Sequence, residues 1–225
     1  MAASCKHFIA KTFAHTAAGI GIAAISADNP VLYEALKNQL RISGLSEIII
    51  IIATFALIFI LPVLTPNTPL KYAAAITFSF LIGQMSGPLV KALEERNILA
   101  RTLFLATGVF VGMVFVGLYD KNNMLGFAPY LLGALIGLII AQTVLFLLEA
   151  TTTIEKQQYF QGANVLSFFG IGLFSLFAAY DTQIVKMHAR ACKKEGDYID
   201  ESTGLFLDFV NLFKNIGVIG LLEDD

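Results

Sequence analysis

From residue 122 to residue 148 the chain runs for 27 residues without one Asp, Glu, Lys or Arg. That run limits the fold more than any other feature. A hydrocarbon core of about 30 Å is crossed by roughly 20 apolar residues in a helix. Inside that core every backbone N–H and C=O must find its partner within the segment, and the α-helix does this for a continuous apolar run. Runs of the same kind recur at residues 48–64, 72–90 and 157–180, which are uncharged over 17, 19 and 24 positions. With 56% hydrophobic and only 14% charged residues and a mean hydropathy of +0.73, the chain lies far from soluble domains, which carry about 25% charged residues.

Seven helical spans are expected, at residues 8–27, 48–64, 72–90, 102–119, 129–148, 162–187 and 203–222. The expected fold class is all-α, a multi-pass membrane protein in which residues 1–225 form a single transmembrane domain. Between the spans, 28–47 is polar, with a possible amphipathic surface helix at 33–40 after Pro30. Residues 65–69 (Thr-Pro-Asn-Thr-Pro) read as a tight turn. Residues 91–101, 149–161 and 188–202 read as polar connections. Gly83/Gly87, Gly108/Gly112 and Gly133/Gly137 repeat the four-residue spacing that lets helix backbones approach closely. Gln84 reads as a helix–helix hydrogen bond and His15 as a satisfied interhelical donor.

Several classes are disfavoured. A net charge of −2 gives no case for nucleic acid. Cys5 and Cys192 form no CxxC pair and no disulfide framework. His188 and Cys192, four apart, have no second ligand pair to complete a metal site. The first span contains Lys11 and His15 and lacks a small-residue cleavage site, so it reads as a span rather than a signal peptide. No cofactor is expected. Trp is absent, so an interfacial aromatic belt would rest on the seven Tyr residues.

The last two spans each carry a carboxylate. Asp181 follows the uncharged 157–180 run, and Asp208 lies inside Leu205-Phe206-Leu207-Asp208-Phe209-Val210. An acid near hydrocarbon costs roughly 2.5–3.5 kcal/mol on insertion scales, which makes it a functional-site hypothesis by default. In the seventh span Gly204, Asp208, Asn211 and Asn215 share one helix face. That polar stripe is expected to point into the bundle, while Leu205, Phe209, Leu212, Ile216 and Ile219 form an apolar face. If the sixth span ends near 187 and the seventh begins near 203, both acids lie roughly 8–9 Å from the helix ends, at one level. Two facing acids in a low dielectric do not both ionise cheaply and would share a proton as a unit. That arrangement is a candidate pH-sensitive latch on a cation pathway. Gln183, Asn211, Lys214 and Lys71 are candidate supporting residues. Alternatively the acids are pinned by backbone donors, by Lys186 or by Lys214, or Asp181 is solvated at the interface. An aspartyl hydrolase would also use paired acids. No Gly-rich Asp motif, Ser/His pair or metal constellation accompanies these, so the chain is not expected to be an enzyme.

Orientation follows the Lys/Arg bias. With the N-terminus inside, the inner segments hold eight Lys/Arg against six outside, chiefly through the connection after the sixth span. The N-terminus is therefore expected on the cytosolic or matrix side.

Tyr180-Asp181-Thr182-Gln183, Asp197-Tyr198-Ile199 and the run from Leu205 to Phe213 together resemble the C-terminal signature of the Bax inhibitor-1 family, the transmembrane Bax-inhibitor-motif proteins. Residues 8–13, 17–21 and 80–88 are similar to the family's first and third helices, so the resemblance spans the chain. Lys11-Thr12-Phe13 and Gly87-Pro88-Leu89 lean toward the growth-hormone-inducible transmembrane branch. The resemblance implies a seven-helix fold with a central seventh helix. It also implies a calcium leak or cation/proton exchange modulated by pH, and in eukaryotes suppression of cell death. The family's paired aspartates fall on Asp181 and Asp208. Some members place an Arg near the end of the second helix, where this chain has only Lys71 nearby. The Lys-rich tail of some animal members is replaced by Glu223-Asp224-Asp225. The implied partners are the bilayer, calcium and protons, and possible cell-death regulatory proteins. A scaffold that binds such proteins without transport is the alternative, with 188–202 and 91–101 as its surfaces. The sequence does not distinguish endoplasmic reticulum, Golgi, mitochondrial inner or bacterial plasma membrane.

Overall fold

A computed structural model describes residues 7–29, 45–120, 124–151, 154–191 and 196–223. The 33–40 helix, Cys5 and Cys192 lie outside the described residues. The protein is all-α and multi-pass. Among the described residues there are seven α-helices: α1 (Phe8–Asp28), α2 (Leu45–Ile60), α3 (Pro69–Glu95), α4 (Leu99–Tyr119), α5 (Ala128–Ala150), α6 (Lys156–Ala191) and α7 (Tyr198–Glu223). Short 3-10 turns at Leu61–Val63 and Met124–Phe127 follow α2 and precede α5. Six of the helices are long and apolar enough to cross a membrane. The exception is α2. At 16 residues it reaches only about 24 Å at 1.5 Å per residue, and Pro62 tightens its end into the 3-10 turn.

Exposure fits a lipid solvent. Phe59, Phe104 and Tyr130 are 73%, 78% and 74% exposed on helix surfaces, which water would penalise and hydrocarbon does not.

The helix ends correct several expected boundaries. Thr68 caps α3, its hydroxyl accepting the Lys71 N–H at 3.4 Å, with Pro69 at the first helical position. The helix then runs through Pro88 to Glu95, so most of the expected 91–101 connection is helical. It stops where Asn97 turns left-handed (φ 58°). There the Ile98 N–H bonds Leu93 O and the Asn97 N–H bonds Glu94 O, both at 2.9 Å. This pairing satisfies the last carbonyls. The two C-terminal helices are also longer than the hydrophobic runs suggest. The 36 residues of α6 extend about 54 Å, and they include part of both flanking polar stretches. Likewise α7 begins at Tyr198, because Asp197 Oδ1 accepts the Asp200 N–H at 3.3 Å as an N-terminal cap.

The chain divides into two compact units. One is Met1–Ala92 with Val185–Phe206, and the other is Leu93–Ile184 with Leu207–Asp225. In the first unit, α1 buries Phe8, Thr12, Thr16, Gly19, Ala23, Ser26 and Ala27, a stripe of helical spacing. Gly19 permits close approach, since a Cβ there would stand 3.1 Å from Ser79 Oγ and 3.3 Å from Phe206 Cδ2. Phe78 meets Phe206 edge-on with centroids 6.1 Å apart. As expected, Gln84 bonds helix to helix: its Nε2 donates to Ser26 O at 2.7 Å, Ser26 Oγ at 2.8 Å and Asn29 O at 3.1 Å. In the second unit, a Cβ on Gly117 would collide with Ala179 O and come within 2.7 Å of Thr182 Cβ, which places α4 directly against α6. Phe110 and Phe209 stack edge-on at 5.7 Å.

Candidate functional site

The second unit brings Asp181 of α6 and Asp208 of α7 within hydrogen-bonding reach of each other. Each lies ten residues from its helix end at Ala191 or Tyr198, about 15 Å along the axis. The acids are thus at one level, and farther from the helix ends than the sequence suggested, because both helices continue past the hydrophobic runs. Asp208 is 5% exposed, and its Oδ2 has no hydrogen-bond partner among the described residues. Asp181 is half-buried. The adjacent Thr182 donates back to Ala178 O at 2.7 Å, so its hydroxyl is satisfied within α6.

The candidate supporting residues separate. The Gln183 carbonyl oxygen accepts the Met124 N–H at 2.9 Å, tying the turn before α5 to α6. Asn211 Nδ2 donates to Leu207 O at 2.8 Å, and Asn215 Nδ2 to Asn211 O at 2.7 Å. Both amides are therefore bonded back onto their own helix. Lys214 is exposed, and no ion pair to it is found among the described residues. Lys71, considered as a support for the acid pair, instead pairs with Asp197 and Asp200. The seventh helix also differs from a two-faced one. Leu205, Phe209, Leu212 and Ile219, of the expected apolar face, are buried at 0–7% exposure along with Asp208 and Asn215. Half of its apolar window is buried, more than in any other candidate span, so neighbours cover it on several faces.

A second polar constellation, in the first unit, was not read from the sequence as a site. Lys71 is wholly buried. It pairs with Asp197, lies 2.7 Å from Asp200 Oδ1, and donates to Leu64 O at 3.4 Å. The Tyr72 and Tyr198 hydroxyls are hydrogen-bonded, and the His15 ring lies 5.6 Å and 5.0 Å from those two rings. His15 Nδ1 meets Lys11 O at 2.8 Å, so its polar contact is within α1 rather than between helices. His188 pairs with Glu201 at 2.6 Å. The available signal was Asp197-x-x-Asp200 ahead of an apolar run, a helix-start pattern. Its cation is 126 residues away, beyond the reach of local patterning. Among the described residues no group of three or more His, Cys, Asp or Glu could hold a metal ion.

Long apolar helices, one of them carrying a buried acid in contact with an acid on the preceding helix, define a multi-pass α-helical membrane protein. The family model described as "Inhibitor of apoptosis-promoting Bax1" matches residues 5–223. The chain belongs to this family, the Bax inhibitor-1 family, and is a multi-pass membrane protein. Curated relatives include an uncharacterised protein of Deinococcus radiodurans, 26% identical across 97% of this chain and 92% of its own length. "Inner membrane protein YbhL" of Escherichia coli is 28% identical across 85% of this chain and 80% of its own. An uncharacterised membrane protein of Streptococcus pyogenes is 25% identical across 92% and 89%. These relatives do not single out the growth-hormone-inducible transmembrane branch.

Proposed function

We propose that the protein is a pH-sensitive calcium leak channel or cation/proton exchanger in which Asp181 and Asp208 form the proton-sensing element of the ion pathway. The observation that carries this reading is the contact between the two carboxyl groups, one of them buried. Two ionised carboxylates have no donor to offer each other, so a hydrogen-bonded pair requires one proton between them. Two acids at close range in low dielectric resist double ionisation for the same reason. Losing that proton replaces a hydrogen bond with repulsion between α6 and α7. The contact is therefore a two-state element whose opening follows pH, and the dianion it leaves is a hard oxygen site suited to calcium. Gln183 and Asn211 position the pair by fixing α6 against the turn before α5 and by occupying backbone acceptors of α7. With the N-terminus on the cytosolic or matrix side, the element faces that compartment. Regulation of cell death follows from family membership, as a consequence of calcium release.

The alternative is a scaffold without transport of its own, using the 91–101 and 188–202 surfaces, where Lys91, Arg96 and Arg190 are exposed. Purified protein in calcium-loaded liposomes separates the two readings. Transport predicts pH-dependent calcium release with no other protein present. Liposomes no leakier than protein-free controls at every pH would refute transport.

A further inference from the structure

Helix α4 begins without a side-chain cap and with no acid in its first turn. The first N–H groups of a helix need acceptors, and the positive end of its dipole favours an anion. Arg101 lies in that turn, exposed and with no ion pair among the described residues. The neighbouring cation, Arg96, is engaged, donating to Leu221 O near the end of α7 at 3.2 Å.

Thr102 adds an independent observation. It is 3% exposed, yet no hydrogen bond of its hydroxyl is found among the described residues. Thr12, Thr16, Thr54, Thr77, Thr143 and Thr182 all donate to the carbonyl four residues back. Thr102 borders a crevice of about 280 Å³ that Arg101 and Gly220 also line, and a Cβ on Gly220 would stand 3.9 Å from the Thr102 Oγ1.

Below these groups the crevice is apolar. Leu105 and Val109 of α4, Phe168 and Ile171 of α6, and Ile216 and Ile219 of α7 form its walls. Gly220 keeps it open, since a Cβ there would approach Ile98 Cδ1 to 3.3 Å. A whole ligand commonly needs roughly 300–1,000 Å³, so this space suits one slender apolar segment. A cation, a hydroxyl and bare helix N–H groups stand at a helix end, with an apolar slot running inward from them. This matches a phosphate above an acyl chain, and basic pockets between membrane helices take anionic lipid headgroups.

We propose that this crevice binds one acyl chain of an anionic phospholipid, with the lipid phosphate held by Arg101, Thr102 and the α4 N-terminus. The site is independent of the Asp181/Asp208 reading. Native mass spectrometry of the purified full-length protein in detergent tests it, with phosphatidylglycerol and phosphatidylcholine of identical chains as probes. The wild type should retain phosphatidylglycerol about tenfold better, the scale of one charge-assisted contact. Arg101→Gln should abolish that preference, and Arg101→Lys should keep most of it. Gly220→Leu, which fills the slot, should lower retention of both lipids. Glycerol phosphate, which lacks an acyl chain, should not displace the lipid. Equal retention of the two lipids by wild type would overturn the proposal, as would an unchanged preference in well-folded Arg101→Gln or displacement by glycerol phosphate alone. So would anionic lipid binding that appears only after Asp224→Asn/Asp225→Asn, since the chain's own tail would then be the occupant.

Discussion

Lys71 Nζ lies 2.7 Å from Asp200 Oδ1 and also pairs with Asp197, and the lysine side chain is wholly buried while the acids keep 32% and 18% of theirs exposed. This asymmetry predicts which side of the pair is costly to remove. The double change Asp197→Asn/Asp200→Asn strands a buried ammonium, and breaking a buried pair in that way costs about 3–5 kcal/mol. Lys71→Met leaves two acids that solvent reaches, so its cost should be nearer 1–2 kcal/mol. Thermal unfolding of the purified variants in detergent measures both. An equal or reversed order would show that the lysine is not the desolvated partner.

Glycine positions with the same four-residue spacing should respond differently. A Cβ on Gly83 would collide with the backbone carbonyl of Ala23, and one on Gly87 would come within 3.2 Å of Ala27 O. Gly83→Ala must therefore move α1 away from α3, and overpacking of this kind costs about 1–3 kcal/mol. Gly133 and Gly137 have nothing within 4 Å. Gly133→Ala should be neutral or stabilising by up to about 1 kcal/mol through reduced backbone entropy. Melting temperatures of the two single variants give the comparison.

Gln84 should be sensitive to the polarity of its replacement as well as to its size. Its amide nitrogen faces the Ser26 and Asn29 carbonyl oxygens. Gln84→Leu loses these bonds and should cost about 1–3 kcal/mol. Gln84→Glu puts an acceptor against two acceptors and should cost more. Chemical unfolding of wild type and both variants in mixed micelles should rank them in that order.

The helical class and the seven helices, six of them long and apolar enough to cross a membrane, could be read from charge-free runs and their interruptions, because the bilayer imposes a length and forbids unpaired backbone. Helix ends were less legible. Asp197 capping α7 and the left-handed Asn97 ending α3 are local hydrogen-bond events inside polar stretches, and hydropathy smooths over them. The glycine spacing marked possible close approaches but not the one between α1 and α3 that is made, since an identical pattern on α5 faces open space. Pairing at a distance was not legible at all. Lys71 stood at the start of an apolar span with acids on several sides in the sequence, and only folding selects Asp197 and Asp200. The expected division of α7 into polar and apolar faces assumed one covered side, whereas Leu205 and Leu212 are as buried as Asp208.

The Asp181/Asp208 contact is the centre of the proposed function, and one substitution isolates it. Asparagine at 208 keeps the size and a hydrogen-bonding side chain but carries no titratable proton. The decisive measurement is calcium flux through Asp208→Asn in proteoliposomes across a pH series, beside wild type at equal incorporation. The proposed mechanism predicts that wild-type flux changes with pH and that the variant's flux is flat across the same range. A variant whose flux keeps the wild-type rate and the wild-type pH response would contradict it.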